Sequence, residues 1–483
     1  MLSVVFDDQY GNQYQRGDRL GAGGQGAVYR VEGEPALALK MQVIEGTDTP
    51  VFGGDGSEFR ELMMLPLPVD LPLAKPIAAL NGVRGYVMQL VVGLRPAATV
   101  ISARVAEPTA LHPALEEVRK LLLPHRWSQF YSYGQAMPPR QRLLVSASIA
   151  STLARLHGLG FVYKDISPGN CFVPEARADS RAWLIDCDNL GPSGRGLRVY
   201  TPGYGAPEVT TLGQPNSFAA DAFSLAVLTY EIVTGKHPFD GPLRNIGGSA
   251  WDDEETESDR EQLDAVSGEA MWEQSLLPFI EAQTDESNHV PNFFSVALGS
   301  RLANVYESLL GEGREHPPLR ASAAFLASEL ARAGYLCCSC TVCKIGQHAE
   351  NVGADNVCSV CGEPIGTRWG AWLREGAGRP EQLVFVSESD VDSFDVPLSV
   401  VFPPRMRSIS AAWIRVSLKQ VVGAVRIEAI GAARKIRILI DGRLTEPAGV
   451  VEVPTEQLLQ GLLLSDAEVP GLSVRIGVWG SRV

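Results

Sequence analysis

Three polar residues in fixed order carry the chemistry this chain could perform: Asp165, Asn170 and Asp186. They sit in Tyr163-Lys164-Asp165-Ile166-Ser167-Pro168-Gly169-Asn170 and in Leu184-Ile185-Asp186-Cys187-Asp188. Phosphoryl transfer from ATP needs such a set. One carboxylate orients the attacking hydroxyl, while an amide and a second carboxylate hold Mg²⁺ against the phosphates. A D-x-x-x-x-N spacing alone is weak, because turns use the same residue types. A second set is the cysteines: six of them fall between Cys337 and Cys361. Cys340-x-x-Cys343 and Cys358-x-x-Cys361 have the spacing that presents four thiolates to one tetrahedral Zn²⁺. Cys337-x-x-Cys340 is also a CxxC pair, but Lys344 and Gly346 after Cys343 favour the Cys340/Cys343 choice. Four cysteine ligands leave no open position, so such a zinc is structural.

The elements that must position these groups are legible upstream. Arg19 to Val31 alternates apolar residues around a glycine cluster, reading as strand, tight turn and returning strand. Gly21, Gly23 and Gly26 fill G-x-G-x-x-G, with Val28 two residues later. Glycines let backbone amides approach phosphate oxygens with no Cβ in the way. A dinucleotide-binding turn would open into a helix, whereas Ala27-Val28-Tyr29-Arg30-Val31 continues as strand. Ala36-Leu37-Ala38-Leu39-Lys40 is an apolar strand ending in a lysine that needs an anion if buried. A glutamate partner for it is expected on the helical stretch from Ser57 to Leu65. Glu61 fits better than Glu58, because Leu62 and Leu65 then pack beneath it. Gly85 to Val91 reads as a buried strand. Gln141 to His157 is an amphipathic helix closed by Gly158 and Gly160, delivering the chain to Asp165.

The chain has 483 residues, 45% apolar and 20% charged, with a formal charge of −14. That length suggests two to four domains. The negative charge argues against a nucleic-acid or anionic-membrane partner. No apolar run is long enough to span a bilayer and the first residues do not read as a signal peptide, so a cytoplasmic protein is expected. In a reducing compartment, clustered cysteines favour metal over disulfides. The run Asp252-Asp253-Glu254-Glu255-Thr256-Glu257-Ser258-Asp259 lies in a stretch, 241–291, that reads as a solvated insertion. From about Arg379 alternation is strand-like, as in Trp413 to Leu418 and Lys435 to Ile440, suggesting an antiparallel β-domain.

Asp165 to Asn170, Asp186, Thr201-Pro202-Gly203-Tyr204-Gly205-Ala206-Pro207-Glu208 and Asp221-Ala222-Phe223-Ser224-Leu225 follow the glycine turn and Lys40 in an order that resembles the Ser/Thr protein kinase superfamily. The likeness runs from about Gln15 to about Gly334. Within it, the chain is similar to bacterial kinases associated with tellurite-resistance-type von Willebrand A proteins and a PP2C-type phosphatase. The resemblance implies an α+β, bilobal kinase fold with an N-lobe over 1–92 and a C-lobe over 93–335; the cysteine spacing adds a zinc ribbon over 336–370, and the strand-like alternation an all-β domain over 379–483. It implies ATP and Mg²⁺ as cofactors besides Zn²⁺, a protein substrate, and partners of the two kinds just named. Asp165 would orient the substrate hydroxyl and Lys40, paired with Glu61, would hold the α- and β-phosphates. Asn170 and Asp186 would bind Mg²⁺; Gly21, Gly23, Gly26, Val28, Ala38 and Met88 would enclose the nucleotide. Arg320 is placed to pair with Glu208. Departures stand beside these matches. Lys164 replaces the usual arginine, Ser167 replaces a lysine that neutralises the γ-phosphate, and Asp188 replaces the glycine of D-F-G. Asp188 reads either as a second carboxylate near the metal or as a solvated loop residue. These departures keep a second function in view, a nucleotide-binding pseudokinase acting as a switch or scaffold.

Overall fold

The computed structural model describes residues 4–23, 26–53, 56–122, 124–177, 179–239, 297–352, 356–366, 368–376 and 378–388, residue 456, and the strand segments between 393 and 479 given below. The acidic run Asp252 to Asp259 lies outside the described residues.

Period-two patterning builds the first sheet. Its strands are β1 (Val5–Asp7), β2 (Gln13–Gly23), β3 (Gly26–Val31), β4 (Glu34–Met41), β5 (Pro76–Ala79) and β6 (Gly85–Gln89). Their order is β1-β2-β3-β4-β6-β5, with every pair antiparallel. Successive side chains point to opposite faces of a strand. Ala27, Tyr29, Val31, Leu39, Met41 and Val87 therefore bury one face. Ala38, Tyr86 and Met88 lie on the other with Val28 against them. The strand–turn–strand expected around the glycines is the β2–β3 hairpin, with Gly21 opposite Val28 and Gly23 opposite Gly26. Helix α1 (Ser57–Met63) follows Gly56, whose φ of 65° lies in the left-handed region.

The helical part comprises α2 (Pro113–Leu121), α3 (Pro124–Ala136), α4 (Pro139–Gly158), α5 (Phe218–Thr234), α6 (Gly299–Glu307) and α7 (Ala323–Tyr335). Helix α4 begins at a proline, whose missing N–H costs nothing in a first turn. Helix α5 is apolar around its whole circumference, which is why it lies at the centre of the largest core with α4, α6 and α7 against it. Ser217 caps α5 by accepting from the Ala220 N–H at 3.1 Å, and Gly235 ends it with φ 72°.

Beyond α7, β7 (Cys337–Ser339) pairs antiparallel with β8 (Gly346–His348). Six further strands form one antiparallel sheet: Gln382–Val386, Arg368–Glu375, Leu472–Trp479, Leu462–Asp466, Ile436–Ile440 and Arg443–Thr445, in that order. Four form another, ordered Ser393–Pro397, Trp413–Val421, Ala424–Ile430 and Val450–Pro454. The cysteine segment, read from the sequence as a zinc ribbon over 336–370, shares a core with the helical part. Leu115, Val118, Trp127, Phe130 and Tyr133 of α2 and α3 pack with Cys338, Cys340, Cys343, Ile345, Cys358 and Ile365. Among the described residues, no helix is long and apolar enough to cross a membrane.

Candidate active site

The loop carrying Asp165 is held from below by α5. Asp221, fully buried, accepts the backbone N–H of Tyr163 at 2.7 Å and of Lys164 at 2.9 Å, and contacts His157 Nε2 at 3.1 Å. This anchoring holds Lys164 at φ 75°, a conformation a non-glycine residue rarely adopts unless its surroundings impose it. The Tyr163 hydroxyl donates to the Ile185 carbonyl, and the Ile185 N–H donates to Asn170 O at 2.9 Å. The stretches bearing Asp165, Asn170 and Asp186 are thus tied together through backbone. Asp165 is half-buried with each carboxylate oxygen engaged. Thr201 Oγ1 donates to Oδ1 at 2.7 Å, and Asn170 Nδ2 donates to Oδ2 at 2.9 Å. The Asn170 amide nitrogen is spent there, which leaves its oxygen to face a cation.

Lys40 comes from β4, with Val28 of β3 and Tyr86 of β6 directly opposite it. Lys40 is 7% exposed, and its ammonium lies 2.5 Å from Asp186 Oδ1 and 2.7 Å from Asp188 Oδ2. Burial acts to lower its pKa, but Asp188 and Asp186 outweigh it and hold lysine above its ordinary value. Burial raises the pKa of Asp186, Lys40 works against that, and Asp188 adds to it. Asp186 adopts φ 61°, ψ 68°, a left-handed conformation that aspartate tolerates better than most residues. The other oxygen of Asp188 accepts from the Tyr86 hydroxyl at 2.8 Å.

One expectation is corrected here. No Lys40–Glu61 ion pair forms among the described residues, because both oxygens near Lys40 belong to the Asp186/Asp188 pair. Glu61 is exposed on α1. Lys40 and Glu61 both line a cavity of about 710 Å³, with Phe59, Tyr86, Asp188 and Leu190. What α1 contributes at close range is Phe59, whose ring centroid is 4.8 Å from that of Tyr86. The side chain of Glu58, the other glutamate on this helix, lies outside the described residues.

The expected nucleotide-enclosing residues converge only in part. Val28, Ala38 and Met88 do form one apolar cluster, with Ala38 directly opposite Met88. Gly21 has open space where a Cβ would stand. Gly26 is needed for a local reason: at φ 135° a Cβ there would lie 2.3 Å from the Met41 carbonyl oxygen. Ser167 is buried. The Lys164 ammonium points to the glycine-rich loop, 3.3 Å from where a Cβ would sit on Gly191 and on Gly196. Arg320 and Glu208 form the expected pair, bidentate and buried, at 2.6 and 2.9 Å. Sequence reading missed the pairing of Asp188 with Lys40 and the part of Tyr86. The D-x-D spacing of Asp186 and Asp188 was the available signal.

The four expected cysteines come together. Their sulfurs lie within 4.8 Å of one another, with Cys340–Cys361 and Cys343–Cys358 at 3.6 Å. Four sulfurs at about 2.3 Å from one tetrahedral ion stand roughly 3.8 Å apart, so the set fits zinc. The two halves repeat one backbone motif. Cys340 Sγ accepts from Val342 N–H and Cys358 Sγ from Val360 N–H, both at 3.4 Å. Lys344 (φ 61°) and Gly362 (φ 73°) close each turn by donating to Cys340 O and Cys358 O. Cys337 and Cys338 direct their sulfurs to backbone carbonyls instead.

This architecture is matched by sequence comparison. Residues 110–279 match the family described as the protein kinase domain. That span holds Asp165, Asn170 and Asp186, while Lys40 and the glycine hairpin precede it. The chain is 32% identical over 116 residues to serine/threonine-protein kinase pkn2 of Myxococcus xanthus, covering 22% of this chain and 14% of that protein. It is 33% identical over 111 residues to serine/threonine-protein kinase PkaA of Streptomyces coelicolor, covering 22% and 20%. With serine/threonine-protein kinase AfsK of the same organism it shares 27% over 227 residues, 46% of this chain and 24% of the relative. The chain thus spans a fifth or less of the length of the first two. Residues 110–279 are thus similar to the protein kinase domain, in a structure of mixed helix and sheet, and the chain is similar in sequence to bacterial Ser/Thr protein kinases.

Proposed function

We propose that this chain transfers the γ-phosphoryl group of ATP to serine or threonine hydroxyls of protein substrates. The observation that carries the reading is Asp165, held at both oxygens by Thr201 and Asn170 and set beside Asp186 and Lys40 by the Tyr163–Ile185–Asn170 ties. In this reading Asp165 orients the substrate hydroxyl and accepts its proton. Lys40 holds the α- and β-phosphates, and Val28, Ala38 and Met88 sandwich the adenine. Mg²⁺, when bound, neutralises charge on the phosphates; the Asn170 amide oxygen and the Asp186 carboxylate would hold it. We divide the chain as read from its sequence, into N-lobe, C-lobe, zinc ribbon and β-rich part, with Cys340, Cys343, Cys358 and Cys361 holding a structural Zn²⁺. For the von Willebrand A and PP2C-type partners implied by the narrower resemblance, neither the relatives nor the described residues offer support.

The test is incubation with labelled ATP·Mg²⁺, alone and with candidate protein substrates. Asp165→Asn should abolish transfer while nucleotide affinity stays nearly intact, because its side chain acts on the hydroxyl and not on the nucleotide. Label incorporation at wild-type rates in that variant would sink the assignment. Tight nucleotide binding with no transfer by the wild type would favour the pseudokinase instead.

A further inference from the structure

Lys40 is the cation on which the nucleotide site depends, and a buried ammonium needs a carboxylate that stays with it. Asp186 cannot be that group throughout, since the proposed function assigns it to the metal. Glu61 is exposed on α1, across the cavity it shares with Lys40. Asp188 remains. Its Oδ2 lies 2.7 Å from Lys40 Nζ, and its Oδ1 accepts from the Tyr86 hydroxyl at 2.8 Å. Tyr86 stands directly opposite Lys40 in the β4–β6 ladder, so lysine and tyrosine emerge on the same sheet face and converge on one carboxylate. Lys40 Nζ is also 5.9 Å from the centre of the Tyr86 ring.

We infer that Asp188 does the work expected of Glu61: it is the positioning residue for Lys40, braced from behind by Tyr86. This rests on the kinase reading of the site and deepens it. The same geometry argues against the two roles the sequence left open for Asp188. A solvated loop residue would not have both oxygens engaged by buried partners. As a metal ligand it would have to share an oxygen with Lys40 or Tyr86, each of which already engages one. With Asp186 given over to the metal, Asp188 would still hold Lys40 in place. The position of α1 then matters less for Lys40, because the helix supplies Phe59 as packing for Tyr86 and not a charge to the lysine.

The decisive measurement reads Lys40 itself and requires no catalysis. The full chain is trace-labelled with acetic anhydride across a pH series, and acylation of Lys40 is quantified by mass spectrometry against Lys75 in the same molecule. Removing the partner carboxylate should make the lysine easier to deprotonate. In Asp188→Asn the labelling midpoint should therefore move to lower pH by about one unit, a tenfold change in proton affinity. Asp188→Glu should return it toward the wild-type midpoint, and Glu61→Gln should move it by less than Asp188→Asn does. A higher plateau at an unchanged midpoint would mean loosened packing only and would overturn the assignment. So would a larger shift in Glu61→Gln. In phosphotransfer, Asp188→Asn should lower kcat about tenfold and cause less than about a twofold further loss in a Lys40→Met background, since both act through one group. Full additivity there would also overturn it. A wild type that transfers no phosphate would refute the kinase reading, and the labelling midpoint would still decide the role of Asp188.

Discussion

Arg320 and Glu208 meet with almost no exposed side-chain area, so neither can be solvated if the other is lost. Arg320 also donates to the Gly313 and Ala219 carbonyls at 2.6 and 2.9 Å. Removing one partner strands a buried charge, a loss of about 3–5 kcal/mol. Arg320→Ala should cost that much in urea unfolding of the full chain, and a loss below about 1 kcal/mol would contradict the buried pairing. His348 makes a different case. Burial lowers its pKa, the nearby Arg332 adds to this, and Glu350 opposes it. Its Nδ1 accepts from the Glu350 N–H at 3.3 Å, which only a neutral ring can do. The folded state thus holds the proton less tightly than the unfolded state. Stability from His348 is present above the ordinary value of 6.5 and falls as pH drops through it toward the lower folded value. Melting of His348→Gln should depend less steeply on pH below 6.5 than that of the wild type.

Among the elements, α4 connects the most distant parts. At its start, Arg140 donates to Cys337 O at 3.0 and 2.6 Å and also bonds the Val386 carbonyl. Two residues on, Arg142 is fully buried among the carbonyls of Met137, Tyr133 and Ile232, with the Tyr133 ring 4.2 Å from its guanidinium carbon. Burial lowers the Arg142 pKa to about 10. At the other end, His157 reaches Asp221, the residue that anchors the catalytic loop. A 20-residue helix, about 30 Å long, therefore joins the cysteine segment to Asp165. Arg140→Met keeps the packing stem and removes the donors, leaving two buried carbonyls unsatisfied. It should lower stability by about 2–4 kcal/mol, at roughly 1–2 kcal/mol per stranded acceptor. Amide exchange should accelerate first in β7 and in Gln382–Val386, and unchanged protection there would refute the tie.

Over the whole molecule, the shared core changes what metal removal should do. A free-standing ribbon would unfold alone on losing its ion. Here Trp127, Phe130 and Tyr133 of α3 pack against the same residues that carry the four thiolates. Gly134 of α3 is so close that a Cβ would stand 2.6 Å from the Lys344 side chain. Structural zinc contributes on the order of 10 kcal/mol to the fold around it. Chelation, or Cys358→Ser, should therefore expose α2 and α3 to hydrogen exchange as well as the cysteine turns. Persistence of full protection in α3 after zinc is stripped would show that the core does not depend on the ion.

The sequence determined what is local. Alternation fixed β2, β3, β4 and β6, the Gly21 to Gly26 turn fixed the hairpin, and helical periodicity placed α4 within two residues of its observed start. The two CxxC turns were also readable, because each is closed by backbone bonds a few residues apart. The candidate catalytic groups were legible as a list: Asp165, Asn170, Asp186 and Lys40. Tertiary structure decided their pairing. Lys40 is 146 residues from Asp186 and 148 from Asp188 along the chain, so only the folded chain brings either carboxylate to it. Sequence spacing supplies candidates for a buried cation; the space between packed elements selects among them. The attachment of the cysteine segment to α2 and α3 escaped sequence reading for the same reason. An apolar face on a helix states that something covers it, and only the folded chain shows what.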